Sequence, residues 1–142
     1  MKPIKVGLIG LGVVGAGTYR VLERNAEEIR RRAGRAIEIS MVAVRNPARA
    51  DGVVRAGCQV VTDPNLVVND PDIEIVVELI GGYDTARELI MKAIANGKHV
   101  VTANKALLAL HGNEIFAAAQ EKGVMVAFEA AVAGGIPIIK AL

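Results

Sequence analysis

The spacing Gly10-x-Gly12-x-x-Gly15 is the first place in this chain where residue type and position could do chemistry. The three glycines follow an apolar run, Ile4 to Ile9, and precede a stretch of helical periodicity. Gly10 permits a tight turn out of a strand, where φ can be positive. Gly12 has no Cβ, so its backbone can lie against a pyrophosphate, and Gly15 lets the following helix pack close to the strand. The helix start adds unpaired N–H groups and the positive end of a dipole. Between a legible strand and a legible helix, this spacing points to a dinucleotide; a merely structural turn is the competing reading.

Further candidates lie where later strands end. Arg45 follows the Ile/Val-rich run Ile37 to Val44, at the position where an acidic residue would bind the adenosine ribose hydroxyls and an arginine would meet a 2′-phosphate. Glu38 lies too early in that run to reach, so Arg45 favours NADP over NAD, with Arg49 or Arg55 as helpers; the alternative is stacking on the adenine or a position in water. Gly81-Gly82 closes Ile73 to Ile80 and either admits the ligand backbone-first from the far side of the crevice or forms a plain turn. Ala103-Asn104-Lys105 follows a short strand ending at Thr102 and opens a helix. His99 stands at the entrance of that strand, away from the carboxyl ends where ligands bind, and is read out of the chemistry. Cys58 has no flanking His or Lys and reads as an ordinary strand or loop residue.

The totals suit one such domain. The chain has 142 residues, is 52% hydrophobic and carries a formal charge of +2. That length can bury a proper core. One cysteine excludes an intrachain disulfide framework and a cysteine-based metal site. Near-neutral charge and four aromatics argue against a nucleic-acid surface. No window has 18 uncharged apolar residues and the N-terminus has no signal-peptide pattern, so no membrane partner is expected and the expected location is cytoplasmic.

These candidates require an alternation of strands and helices. Strands are predicted at Ile4–Ile9, Ile37–Val44, Gln59–Val61, Ile73–Ile80, Lys98–Thr102 and Val124–Phe128. A long amphipathic helix should follow the glycines as far as Gly34, and a short one should run from Ala48 to Ala56. Asp63-Pro64 predicts a helix cap with proline in the first turn, and Thr85-x-x-Glu88 a capping box for a helix to Gly97. Beyond Asn104, His111-Gly112 is expected to split two helices, the second with Ile115, Phe116 and Ala119 inward and Gly123 as its stop. The expected architecture is α/β, an open doubly wound parallel sheet of the Rossmann type.

Thr102-Ala103-Asn104-Lys105-Ala106-Leu107-Leu108 and Glu129-Ala130-Ala131-Val132-Ala133-Gly134-Gly135-Ile136-Pro137 resemble the homoserine dehydrogenase family, as do Ile4–Gly17 and Val77–Gly82. The resemblance covers the whole chain and implies reversible, NAD(P)-dependent conversion of L-homoserine to L-aspartate 4-semialdehyde, in threonine, methionine and isoleucine biosynthesis. It implies that Gly10, Gly12, Val13, Val14 and Gly15 line the cofactor phosphates and that Thr102 lies on the nicotinamide side. It puts Lys105 between cofactor and substrate as the catalytic lysine of this segment, against the plain alternative of a lysine at a helix start. It also implies a monovalent cation such as Na+ on the backbone carbonyls of Glu129, Val132, Gly134 and Ile136.

Family members continue into a substrate and dimerisation domain, with a general acid/base lysine, that has no counterpart in these residues. The resemblance therefore implies a dinucleotide-binding domain over 1–128, and in 129–142 a loop and the start of the next domain. The expectation is a chain that binds NADP weakly and turns over no substrate, cut from an enzyme that acts as a homo-oligomer. Two other readings stay open: another NAD(P)-dependent oxidoreductase of the aspartate pathway, and a non-catalytic NAD(P)-sensing module.

Overall fold

A computed structural model describes residues 3–10, 20, 31, 34–50, 57–80 and 84–128, with backbone alone at 49–50. Among them six strands form one parallel sheet: β1 (Ile4–Ile9), β2 (Ile37–Ala43), β3 (Gln59–Val61), β4 (Ile73–Glu78), β5 (His99–Thr102) and β6 (Val126–Phe128). Their order across the sheet is β3-β2-β1-β4-β5-β6. The order reverses between β1 and β4, the kind of switch point outside whose carboxyl ends open α/β sheets bind their ligands. The helices are α1 (Asn65–Asn69), α2 (Asp84–Ala95) and α3 (Lys105–Lys122), with a 3-10 turn at Pro47–Ala50. Arg20 and Arg31 are also helical; the rest of the long helix expected there lies outside the described residues.

Continuous apolar runs make the central strands suited to burial on both faces. Ile4, Val6 and Leu8 of β1 join Ile39, Val42, Ile75, Val77 and Val101 in one buried cluster. The opposite face packs Ile9, Met41, Val76 and Val100 against Val67 of α1, Ile90 and Ile94 of α2 and Leu107 and Ile115 of α3. On that face β1 has Gly7, where a Cβ would stand 2.5 Å from Val67 Cγ1 and 3.0 Å from Ile73 Cδ1. The missing side chain is what lets α1 lie on the strand.

Several sequence expectations change in detail. In β2 the pairing with β1 skips Ser40, a bulge that puts Ile39 and Val42 on the same face although they are three apart. The Ser40 hydroxyl is buried without a hydrogen-bond partner among the described residues. Asp63 is not the cap residue expected for α1: Pro64, expected in the first turn, takes the cap position without a side-chain cap bond, and Asp63 Oδ1 accepts the Asn65 N–H at 2.9 Å from the turn before it. Thr85 lies inside the first turn of α2, because the helix already includes Asp84, so it is not the cap residue.

The expected break at His111-Gly112 does not occur: α3 runs through it for 18 residues. A single helical glycine costs about 1 kcal/mol relative to alanine. Leu107, Ile115 and Ala119, a buried row at four-residue multiples, outweigh that on both sides of Gly112. Phe116, expected inward, is 48% exposed. Gly123 stops α3 as expected, with φ +69° and its N–H bonded to Ala119 and Gln120 carbonyls.

Candidate functional site

The carboxyl ends of β2, β1, β4 and β5 are stitched together beyond the regular ladder. Gly10 N–H donates to the Ala43 carbonyl at 2.8 Å, Leu79 N–H to Ile9 at 2.9 Å and Ala103 N–H to Glu78 at 3.2 Å. Gly10 adopts φ +96°, a conformation L side chains rarely take, and a Cβ there would stand 3.0 Å from Ile80 Cγ2 and 3.4 Å from Ile80 N. The turn leaving β1 therefore presses its bare backbone against the start of the loop after β4. This is the close approach a dinucleotide crevice needs at its floor.

Arg45 is exposed at the carboxyl end of β2, just past Val44, whose N–H bonds to Val61 at 2.9 Å. Asn46 Oδ1 accepts the Ala48 N–H at 3.1 Å and fixes the turn behind it. At the end of β5, Thr102 is fully buried. Its hydroxyl donates to Glu78 Oε2 at 2.6 Å and accepts the Asn104 N–H at 3.0 Å. Asn104 Oδ1 in turn accepts the Leu107 N–H at 2.9 Å and caps α3. Lys105 is thus the first residue of α3, exposed, on the same end of the sheet as Gly10 and Arg45.

Of the other expected site residues, Gly12, Val13, Val14, Gly15 and Gly81 lie outside the described residues, as do Glu129, Val132, Gly134 and Ile136. Among the described residues no group of three or more His, Cys, Asp or Glu side chains is placed to hold a metal ion. His99 starts β5 at the opposite end of the sheet. It accepts the Met125 N–H on Nδ1 at 3.0 Å, and burial pushes its imidazole below the usual histidine range. Beside it Lys98, nearly fully buried, donates to the Asp70 carbonyl and, at 2.7 Å, to that of Ile73, tying down the loop before β4.

Sequence reasoning gave Glu78 no role. It ends β4 at the switch point and is fully buried. Burial raises its carboxyl to about 7, against smaller opposing effects of the Thr102 hydroxyl and the Ile80 N–H. A signal existed in Ile73-Glu74-Ile75-Val76-Val77-Glu78: an acidic residue at the inner end of a strand buried on both faces must find a partner.

Comparison with known proteins agrees with this geometry. A family model described as homoserine dehydrogenase, NAD binding domain, matches residues 10–129. Homoserine dehydrogenase of Pseudomonas aeruginosa is 64% identical over the whole chain, and that of Bacillus subtilis 39%. The chain spans 32% and 33% of their lengths, about a third. The crystal structure of a homoserine dehydrogenase from Thiobacillus denitrificans superimposes with a TM-score of 0.87 at 69% identity, over 99% of this chain and 32% of that one. Since the family model takes in the Gly10 turn, β2 with Arg45 and the Thr102–Lys105 segment alike, this chain belongs to the homoserine dehydrogenase NAD-binding-domain family.

Proposed function

We propose that this chain binds NADP in preference to NAD, for reversible hydride transfer between L-homoserine and L-aspartate 4-semialdehyde. The observation that supports this best is the convergence of Gly10, Arg45 and Lys105 on the carboxyl end of one parallel sheet. The nicotinamide ring of a bound dinucleotide gives or takes the hydride. Gly10, with Gly12, Val13, Val14, Gly15 and Gly81 by motif, leaves room for the phosphates.

Lys105 donates a hydrogen bond to the reacting oxygen as negative charge develops there. Its place favours this over a structural role, because a cation in the first turn opposes the helix dipole by about 0.3–1 kcal/mol. That unfavourable position also speaks against a module that only senses the cofactor. The cation at Glu129, Val132, Gly134 and Ile136 belongs to the reading on sequence resemblance alone, as do the boundary near residue 128 and a homo-oligomeric enzyme; a cytoplasmic location belongs to it on the sequence pattern alone.

Arg45 is the specificity residue in this reading, its exposed guanidinium meeting the 2′-phosphate. A charge-assisted bond of about 1.5–3 kcal/mol corresponds to roughly ten- to a hundredfold in affinity. Arg45→Ala should lower the ratio of NADP to NAD affinity by that factor while NAD binding changes little, as measured by calorimetric titration. An unchanged ratio would remove Arg45 from cofactor selection.

A further inference from the structure

Glu78 is a buried carboxyl joined by hydrogen bonds to the turn that presents Lys105. Its Oε2 accepts from Thr102, Thr102 accepts from Asn104, and Asn104 caps α3. Its own carbonyl accepts the Ala103 N–H at 3.2 Å, so side chain and backbone of one residue hold Thr102 and Ala103, where the turn begins. The second carboxyl oxygen, Oε1, is buried without a hydrogen-bond partner among the described residues. A negative charge on such an atom is poorly solvated, whereas a proton on it makes a donor that a bound acceptor can use.

We propose that Glu78 is a positioning residue that holds the Thr102–Lys105 turn against the dinucleotide as a neutral carboxylic acid, and that its ionisation weakens dinucleotide binding. This rests on the cofactor reading above. The sheet sets Ile9 of β1 and Thr102 of β5 beside Glu78, and its own loop brings the Ile80 N–H to the carboxyl, all of them uncharged. Among the described residues nothing there supplies a cation to stabilise the carboxylate. The raised ionisation of Glu78, near 7, agrees with this setting. Phosphates seated on the Gly10 turn would bring negative charge towards the same spot and disfavour ionisation further.

The test is NADPH affinity from pH 6 to 8.5 for the wild-type chain, Glu78→Gln, Glu78→Ala and Thr102→Val, with folding checked by circular dichroism. NADPH is the probe because its nicotinamide ring is uncharged. Ionisation of its 2′-phosphate is common to all four proteins, so the difference from Glu78→Gln belongs to Glu78. Wild type should lose about tenfold in affinity relative to Glu78→Gln across this range, the effect of a one-unit shift on binding. Glu78→Gln, which keeps an acceptor for Thr102 and a donor at Oε1, should match wild type at pH 6. Glu78→Ala should bind weakly throughout, and Thr102→Val should bind more weakly, with its pH-dependent loss moved to higher pH because the hydroxyl that favours the carboxylate is gone.

In 13C NMR the Glu78 carboxyl of the free chain should titrate near 7. Wild type and Glu78→Gln falling in parallel, Glu78→Gln as weak as Glu78→Ala, or Thr102→Val binding like wild type would each overturn the proposal. Absence of saturable NADPH binding by wild type at every pH would instead overturn the cofactor reading, and this proposal with it.

Discussion

Lys105→Ala lowers kcat/KM for homoserine oxidation by about 10²- to 10⁴-fold, the range a positioned proton donor contributes to a reaction of this kind. The measurement is steady-state kinetics in a chimaera that joins this chain to the remaining two thirds of the Pseudomonas aeruginosa homoserine dehydrogenase, 64% identical to it over their shared part. Lys105 is exposed at the first position of α3, so the fold should survive the change. NADPH affinity should stay within a few-fold, because the oxygen that Lys105 serves belongs to the substrate. A fall in kcat/KM with cofactor affinity retained separates a role in the transition state from one in cofactor binding. Unchanged kinetics would return Lys105 to the status of a surface lysine.

Glu78→Gln changes the pH dependence of stability by a similarly large amount. In the folded chain the carboxyl ionises near 7, against an ordinary value of 4.5. Between those values the native state holds a proton that the unfolded chain has released, so stability falls as pH rises. Below about 4.5 the penalty is absent; above 7 it is complete, and the shift corresponds to about 3 kcal/mol. The glutamine variant has no proton to lose. Its stability relative to wild type should therefore improve by about 3 kcal/mol between pH 4 and pH 9, whatever constant offset the amide introduces. Urea unfolding at the two pH values measures this directly. A constant gap between the two proteins would mean that the native carboxylate is solvated after all.

Much of the positioning frame was legible because it follows from short-range rules. Ile4–Ile9 and Gln59–Val61 are strands where their apolar runs and flanking turns placed them. The helix expected up to Gly97 is α2, and its buried residues Ala86, Leu89, Ile90, Ala93 and Ile94 recur at helical spacing. Ligand groups gather where parallel strands end, so Gly10, Arg45 and Lys105 could be assigned to one rim from sequence order alone. What escaped the sequence depends on contacts between distant segments. The Ser40 bulge is a matter of register against β1, and Gly7 is explained only by Val67 and Ile73 arriving over it. Gly112 follows the local rule for a helix break, yet the buried row on α3 overrides that rule. Glu78 was hidden differently: its neighbours in sequence are apolar, and its partner Thr102 is 24 residues away on the adjacent strand.

The central claim is that the rim formed by Gly10, Arg45 and the Thr102–Lys105 turn holds a nicotinamide dinucleotide. The most direct measurement is titration of the purified chain with NADPH, followed by amide chemical shifts. The account predicts saturable binding of one NADPH per chain, with the largest shifts at Gly10, Arg45 and Ala103 to Lys105 and little change at Lys98 and His99 on the opposite end. No saturable binding, or shifts centred on Lys98 and His99, would contradict it.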